Sequence, residues 1–251
     1  MRRLRLVAAV AALALLGTAC SATFGLPKGQ TEQGGDISSL WTTFMTAGIV
    51  VAAIVYVLIV FSILRYRRRR ADPEDALGRQ FHANIPLEVV YTAIPVLIVI
   101  GLFTLSLRTE HKVDAVSSSP DVVMDVQAFS WGWRFSYPDL GVQVVSAPSG
   151  PGVPGPVIEL PVGETTQVNL SSQDVIHAFW VPAFNFKRDA IPGNPTSFDL
   201  TPQDLGDFRG VCAEFCGLNH AYMGFTVRVV DRATFDAWVA QQGQASAGGT
   251  A

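Results

Sequence analysis

Cysteine, histidine and charged residues are all scarce in this chain. Its 251 residues include three cysteines and four histidines, and only 16% of them are charged. Two of the cysteines lie near the C-terminus, which is too few for a zinc or iron–sulfur site made of sulfur ligands alone. The chain has no Cys-x-x-Cys-His run, so the sequence predicts no covalently attached c-type haem.

The scarcity of charge also separates this chain from ordinary soluble proteins. Hydrophobic residues make up 49% of it, and its mean hydropathy is +0.31. From Arg108 to the end, 15 acidic residues stand against 8 basic ones, a net charge of −7. Such a domain would attract a basic partner, although plain solubility explains the charge equally well. A surface of this sign argues against nucleic acid as a partner.

The N-terminal residues are typical of an exported protein. Residues 1–19 contain three arginines, then an apolar stretch and then small residues, as in a secretory signal peptide. The small residues end at Cys20, a candidate lipidated N-terminus, although the usual leucine stands one place further back, at Leu16. Cys20 is otherwise an unpaired thiol beside an ordinary cleavage point. Residues 20–40 are polar and glycine-rich, and we predict a linker there.

Two uncharged apolar stretches, about residues 43–64 and 89–107, are each long enough to span a bilayer. An arginine cluster follows the first stretch directly, which marks the cytoplasmic side and disfavours a nucleic-acid patch. We therefore predict a transmembrane helix hairpin over residues 41–107 with both ends outside. Residues 108–241 would then form an extracytoplasmic domain.

Short alternating segments in that domain, separated by Gly, Pro, Asn and Asp, indicate β-strands. The plainest lie at residues 122–129, 133–137, 157–160, 165–170, 208–211 and 225–230. They predict an all-β sandwich or barrel. A Pro/Gly-rich loop of unknown role is inserted at residues 148–156. A terminal helix is predicted from Asp231 to about Gln241, and residues 242–251 are predicted to be a disordered tail.

Soft metal-binding side chains are concentrated near the C-terminus. Cys212, Cys216, His220 and Met223 lie close together, and His177 lies upstream. Thiolate, imidazole and thioether donors suit copper rather than calcium or magnesium. Two thiolates bridging two ions, with one imidazole on each ion, would account for this set. A structural disulfide is the alternative, but it leaves the histidines and the methionine unexplained.

The run Cys-x-Glu-x-Cys-x-x-x-His-x-x-Met, with an upstream Asp-x-x-His, resembles the dinuclear copper motif of cytochrome c oxidase subunit II. The resemblance covers roughly residues 40–240. It implies a membrane-anchored all-β fold, in which a two-helix transmembrane hairpin is followed by a cupredoxin-like Greek-key domain. It also implies that Cys212 and Cys216 are the bridging thiolates and that His177 and His220 are the terminal imidazoles. Met223 would be the weak thioether ligand.

The resemblance assigns further roles outside the thiolates and imidazoles. Glu214 would bind copper through its backbone carbonyl, and its carboxylate would face a magnesium ion at the border with subunit I. Trp131 would be the residue at which the electron enters, although aromatics alternating along a strand are by default core residues. Glu88 would guard a proton-uptake path into subunit I. The alternative for Glu88 is a carboxylate that extends into the cytoplasmic headgroups.

Further assignments concern a segment after the upstream histidine, one aspartate and the two remaining histidines. The segment from Lys187 to Gly193 resembles a family loop that docks near the haem-bearing subunit, with a solvated turn as the alternative. Asp174 either helps to form the cytochrome docking face or caps a turn. His82 and His111 have no ligand residues near them in the sequence and are predicted to be ordinary surface residues.

The resemblance implies subunit II of a respiratory, proton-translocating cytochrome c oxidase in a bacterial plasma membrane. It would take electrons from a c-type cytochrome, soluble or in an associated complex, and pass them to haem in subunit I, alongside further oxidase subunits. A quinol oxidase subunit II would lack the copper ligands. Nitrous oxide reductase would need a large histidine-rich domain. A membrane-anchored copper carrier or assembly lipoprotein would leave Glu88 and Trp131 without a role.

Overall fold

A computed structural model describes residues 24–67, 81–146 and 150–248. The predicted signal peptide, the lipidation site at Cys20 and part of the Pro/Gly-rich loop lie outside the described residues. The described chain divides into two compact units. One contains residues 40–108, and the other contains the described residues on either side of them.

The first long helix, α1, spans Glu32–Tyr66, so it begins inside the segment predicted to be a linker. The prediction was wrong from residue 32 onward because the start of this helix is polar rather than apolar. Thr31 caps the helix: its Oγ1 accepts a hydrogen bond from the Gly34 N–H at 2.9 Å. The capping interaction offsets the low helix propensity of the two glycines in the first turns.

The second long helix, α2, spans Ile85–Val113 and is also longer than its apolar stretch. Asn84 and Glu88 begin it with a reciprocal capping pair. The Leu87 N–H donates to Asn84 Oδ1 at 3.3 Å, and the Asn84 N–H donates to Glu88 Oε1 at 3.1 Å. Both helices are long and apolar enough to cross a membrane. Their large apolar side chains are exposed along the spans, as expected of surfaces that lipid or other subunits cover.

Ten strands form a β-sandwich in the second unit. Its sheets have the orders β3-β2-β1-β5-β8 and β4-β10-β9-β6-β7, with parallel pairs at β1–β5 and β10–β4. The first sheet is made of β1 (Val122–Phe129), β2 (Gly132–Tyr137), β3 (Val142–Val145), β5 (Thr166–Ser172) and β8 (Thr196–Leu200). The second is made of β4 (Val157–Pro161), β6 (His177–Val181), β7 (Phe186–Ala190), β9 (Gly206–Cys212) and β10 (Gly224–Val230). The predicted class, two apolar helices followed by an all-β sandwich, is confirmed.

Aromatic side chains fill the space between the two sheets. Trp133 and Phe135 from the first sheet meet Phe179 and Phe225 from the second, with ring centroids 4.9 to 6.2 Å apart. All four rings are buried. This core packs against the end of the sandwich at which His177 and Cys212 are found. Its close packing therefore limits the movement of the predicted ligands.

Two boundaries in this domain differ from the predictions. The terminal helix α3 spans Arg232–Gly248, so it continues into the predicted disordered tail. Asp231 caps it as predicted, because Asp231 Oδ1 accepts a hydrogen bond from the Thr234 N–H at 3.0 Å. The segment starting at Lys187, predicted to be a loop or a solvated turn, lies largely in β7, and only residues 191–193 turn.

The residues before α1 are fastened to the β-sandwich. The Gln30 N–H donates to the Ala183 carbonyl, and the Gln203 N–H donates to the Gln30 carbonyl, both at 2.9 Å. The Asn185 Nδ2 donates to the Pro27 carbonyl at 2.8 Å. The residues that precede α1 are therefore hydrogen bonded to the β-sandwich domain.

Candidate metal centre

One end of the second sheet brings the predicted ligands together. His177 is the first residue of β6, and Cys212 is the last residue of β9. The loop between β9 and β10 carries Cys216 and a short 3-10 helix, His220–Tyr222. Met223 follows that helix, just before β10. Since β6, β9 and β10 are neighbours in this sheet, the fold places residues that are far apart in sequence at one site.

The side chains form a compact cluster around the two sulfurs. The Sγ atoms of Cys212 and Cys216 are 3.9 Å apart. Cys212 Sγ lies 3.8 Å from His177 Nδ1, and Cys216 Sγ lies 3.6 Å from His220 Nδ1. Each thiol therefore has one imidazole nitrogen beside it.

Each thiol also has one weaker donor beside it. Cys216 Sγ lies 3.8 Å from Met223 Sδ. Cys212 Sγ lies 3.3 Å from the Glu214 backbone carbonyl. Each cysteine sulfur thus has one imidazole and one weaker donor beside it. The weaker donor is a carbonyl oxygen at Cys212 and a thioether sulfur at Cys216.

The spacing fits shared metal ions and does not fit a disulfide. Both cysteines are free, and a disulfide would need its sulfurs about 2.05 Å apart. A thiolate lies about 2.3 Å from a bound ion, so two sulfurs that share an ion are at most about 4.6 Å apart. The observed 3.9 Å is inside that limit. Sulfur and imidazole donors of this kind suit copper.

The environment affects the two thiols differently. Burial raises the pKa of the Cys212 thiol, but hydrogen bonds, chiefly from His177, outweigh it and lower that pKa below its ordinary value. Burial and the neighbouring Cys212 sulfur raise the pKa of Cys216. One thiol of the pair therefore gives up its proton more readily than the other.

His177 is held by a carboxylate on its far side. Its Nδ1 faces Cys212, and its Nε2 lies 2.9 Å from Asp174 Oδ1. Asp174 also accepts hydrogen bonds from the backbone N–H groups of Val175 and Ser130, both at 2.7 Å. Burial opposes ionisation of Asp174, but the hydrogen bonds from His177, Val175 and Ser130 outweigh it and lower its pKa to about 2.

His220 differs from His177 in its surroundings. Its Nδ1 lies beside the Cys216 sulfur, and no carboxylate is hydrogen bonded to its ring among the described residues. The ring of Phe215 lies beside it, with centroids 5.7 Å apart, and Phe215 itself is 83% exposed. The His220 side of the cluster is therefore open to a partner, whereas the His177 side is closed by this chain.

Trp131 is joined directly to the metal-binding loop. Its indole Nε1–H donates to the Cys216 backbone carbonyl at 2.8 Å. Gly217, at φ +115°, lies against the same ring, and a Cβ there would be 3.1 Å from the indole. The loop thus needs glycine at this position for both its backbone conformation and its contact with Trp131.

Comparison with known proteins shows the family to which this chain is related. The family model "Cytochrome C oxidase subunit II, transmembrane domain" matches residues 19–109, and "Cytochrome C oxidase subunit II, periplasmic domain" matches residues 153–230. A probable cytochrome c oxidase subunit 2 of Streptomyces avermitilis is 36% identical, over 92% of this chain and 84% of that protein. The cytochrome c oxidase subunit 2 of Mycobacterium tuberculosis is 33% identical, over 96% and 82%.

The chain belongs to the cytochrome c oxidase subunit II family. This confirms the resemblance found in the sequence. Among solved structures, the periplasmic domain of cytochrome oxidase subunit II from Bradyrhizobium japonicum is 32% identical, with a TM-score of 0.47, over 51% of this chain and 98% of that one. The match to both family domains makes the chain a membrane protein with an extracytoplasmic C-terminal domain.

Glu88 of this subunit II chain lies in the first turn of α2. It shares one helix face with Thr92, and the two residues line a groove of about 440 Å³. The structure thus places Glu88 in a capping role and leaves it half-buried on a helix face that also carries the small side chains of Thr92 and Ala93.

The Glu214 carboxylate lies at the surface beside β7. Its Oε1 is 2.8 Å from Lys187 Nζ, and the same ammonium lies 3.1 Å from Asp189 Oδ1. Magnesium prefers oxygen ligands such as carboxylates and water. The Glu214 carboxylate is an oxygen donor of this kind, and Lys187 holds it in place.

Sequence reasoning missed three contributors to the subunit II site. Asp174 does cap a turn, but it also orients His177, and the Asp-x-x-His spacing was the signal for that role. Gly217 was not singled out, because its need for a positive φ becomes visible only in the folded loop. Trp133 came only under the general expectation that aromatics alternating along a strand are core residues, yet its Nε1–H donates to the Met223 carbonyl at 3.3 Å.

Proposed function

We propose that this chain is the electron-accepting subunit II of a respiratory cytochrome c oxidase, and that it holds a dinuclear copper centre. The observation that carries the proposal is the paired layout of the cluster around two sulfurs 3.9 Å apart. The ligands would be His177, Cys212, Glu214 through its carbonyl, Cys216, His220 and Met223. When bound, two copper ions in this cluster supply a site that takes up and releases one electron at a time.

The chain's own residues hold the ligands rigidly. Asp174 fixes the His177 ring, and Trp133 donates to the carbonyl of Met223. A ligand set that is already ordered by hydrogen bonds changes little in shape when its charge changes, which favours fast electron transfer.

Electrons would enter beside Trp131 and leave on the His220 side. Trp131 is half-buried, and its hydrogen bond to the Cys216 carbonyl links the surface to a bridging ligand. The donor would be a c-type cytochrome, soluble or in an associated complex. The open His220 edge with its exposed Phe215 would contact subunit I, which carries the haem that receives the electron.

Two further roles concern subunit I. The Glu214 carboxylate would provide one ligand to a magnesium ion at the border between the subunits, and the segment from Lys187 to Gly193 would lie at the same border. Glu88 and Thr92 would face subunit I from α2, so that Glu88 passes protons into it. The oxidase would translocate protons outward against the membrane potential.

The chain's location follows from the same proposal. Residues 1–19 would direct export across the plasma membrane of a bacterium, and Cys20 would carry a lipid after cleavage. The two spans would anchor the chain beside subunit I and further oxidase subunits.

Copper loading of the full chain in detergent tests the proposal. We expect two copper ions per chain and a mixed-valence optical and paramagnetic spectrum. Replacing Cys216 with Ser should abolish that spectrum, because a bridging thiolate serves both ions. A single-copper signal from the wild-type chain would instead support the copper carrier.

Turnover of the assembled oxidase tests the role of Trp131. Trp131→Gln should slow reduction by the cytochrome donor while the copper content stays unchanged. Trp180→Gln is the matched control, since Trp180 is an exposed tryptophan of the second sheet that is not hydrogen bonded to the metal loop among the described residues. If wild type and Trp131→Gln are reduced at equal rates by the donor, the electron does not enter through Trp131.

A further inference from the structure

The side chain of Trp133 connects the first sheet to ligand residues that the second sheet carries. Trp133 lies in β2, where its backbone N–H donates to Ser146 Oγ and its carbonyl accepts from the Ser146 N–H, both at 2.9 Å. Its side chain is fully buried between the sheets. The indole therefore extends from a firmly held strand towards the end of the sandwich at which the sulfur cluster lies.

The Met223 backbone carbonyl accepts hydrogen bonds from two different parts of the domain. The indole Nε1–H of Trp133 donates to it at 3.3 Å, and the Cys212 N–H donates to it at 3.1 Å. A carbonyl oxygen has two lone pairs, so both are in use. One atom thus links the thioether residue, a thiol residue and the opposite sheet. Loss of the indole bond would leave a buried N–H unpaired, which is costly.

Neighbouring rings hold the indole in one position. Phe225 and Phe179 of the second sheet have ring centroids 5.3 and 6.2 Å from that of Trp133. The ring of His177, another ligand residue, has its centroid 6.4 Å away. Because the indole is packed on several sides, its hydrogen bond restrains the Met223 backbone relative to the core.

The Met223 sulfur should depend on this restraint more than the thiols and imidazoles do. A thioether is a weak ligand, and in copper electron-transfer sites such a ligand forms a long bond that tunes the reduction potential. A weak bond cannot pull the backbone into place, so the backbone determines how closely the sulfur approaches the metal. Met223 is buried, and its Sδ lies 3.8 Å from Cys216 Sγ.

We propose that Trp133 is a positioning residue that sets the reduction potential of the copper pair through the Met223 carbonyl. This inference rests on the proposed copper centre. Without the indole N–H, the carbonyl keeps only its bond from Cys212, and the thioether is held less firmly. Weaker donation from the sulfur favours the reduced, more electron-rich state, so the reduction potential rises.

Redox titration of the full-length, copper-loaded chain in detergent tests the proposal. Trp133→Phe removes the N–H and keeps an aromatic ring. We expect two copper ions and a mixed-valence spectrum, as in the wild type, but an altered copper hyperfine splitting. We also expect the equilibrium constant for reduction by a redox dye to increase about two- to tenfold, or about 20–60 mV at 59 mV per tenfold change for one electron. An unchanged potential would overturn the proposal.

Trp238→Phe is the matched control. It also removes an indole from the core, but Trp238 packs against Tyr137 and Phe235, which are not ligand residues. The control should lower the unfolding temperature without moving the potential. Met223→Leu gives a second test, since Trp133→Phe should no longer shift the potential in that background. A shift of full size there would show that Trp133 does not act through the thioether.

An isosteric residue keeps the test valid if Trp133→Phe fails to bind copper. Trp133→3-benzothienylalanine keeps the two fused rings and has sulfur in place of the N–H, so it should raise the potential in the same way. If the wild-type chain itself gives no mixed-valence spectrum, the proposed copper centre fails and this inference fails with it. A normal wild-type spectrum with an unaltered potential in the isosteric variant refutes only the role of Trp133.

Discussion

Asp174 shows how much a single side chain outside the ligand set contributes to the metal centre. It binds the outer nitrogen of His177 and two backbone N–H groups of the adjoining turns. A ligating histidine that donates its other nitrogen to a carboxylate has a fixed ring orientation and tautomer. In the proposed copper centre, Asp174 would therefore decide which nitrogen of His177 is left for the metal.

Replacing Asp174 with Ala should lower copper affinity by about 10- to 100-fold, because the His177 ring loses its orienting partner. Competition against a chelator of known affinity measures this loss. Asp174→Asn keeps an oxygen acceptor and should lose less. Asp125→Ala removes an exposed carboxylate of β1 that contacts Asn169, and it should leave copper affinity unchanged. Equal affinities for Asp174→Ala and wild type would contradict the orienting role.

The lowered pKa of Asp174 also predicts how the stability of the copper-free chain changes in acid. The pKa of Asp174 is about 2 in the folded chain and about 3.9 in an unfolded one. A lowered pKa stabilises the folded state above pH 4, and that contribution is lost as the pH falls from about 4 to about 2. Denaturant unfolding at several pH values should show the decline. The decline over that interval should be shallower in Asp174→Asn.

At the scale of elements, the loop between β9 and β10 combines tight backbone geometry with four of the ligand residues. Gly217 is restricted in two ways: its φ of +115° favours glycine, and the Trp131 ring leaves no room for a side chain there. Any side chain there strains the backbone and displaces the indole that binds the Cys216 carbonyl.

Gly217→Ala should destabilise the domain by about 1–3 kcal/mol and slow electron transfer from the donor. Gly163→Ala is the matched control, because Gly163 also has a positive φ of +75° but nothing lies within 4 Å of a Cβ there. The control should cost about 1 kcal/mol and leave electron transfer unaffected. Denaturant midpoints and stopped-flow reduction measure the two effects. A Gly217→Ala chain that accepts electrons at the wild-type rate would argue against the Trp131 contact.

The elements also show what the sequence could and could not predict. The ligand run was predictable because its chemistry lies within a few residues, from Cys212 to Met223. Strand β6 was missed because four of its five residues are buried, so it has no alternation. The start of α1 was missed because it is set by a hydrogen bond at Thr31 and not by apolar residues. The role of Asp174 depends on side-chain orientation, which spacing alone does not fix.

At the scale of the whole molecule, the net negative charge of the extracytoplasmic part should attract a basic electron donor. Its basic residues are largely paired with acids: Arg228 binds Asp207, and Arg232 binds Glu164. The net negative charge is therefore what an approaching protein would meet. Leu218, an exposed apolar residue, directly follows Gly217, which lies against the Trp131 ring.

Reduction by a basic cytochrome should slow as salt is added. The screening length falls from about 30 Å at 0.01 M to about 8 Å at 0.15 M ionic strength. We expect the association rate to fall by about tenfold or more over that interval. Turnover at low donor concentration measures it, with a neutral electron donor as the control. A rate that does not change with salt would mean that the apolar residues near Trp131 govern docking.

The 3.9 Å gap between the two sulfurs has a consequence for how the protein matures. Outside the cytoplasm, thiols this close are exposed to oxidation, and a small inward movement would join them. Metal delivery and cross-linking therefore compete for the same two atoms during biogenesis. Newly exported chains need a reductant until the ions arrive, and air-exposed apoprotein should regain its capacity for copper only after treatment with a dithiol.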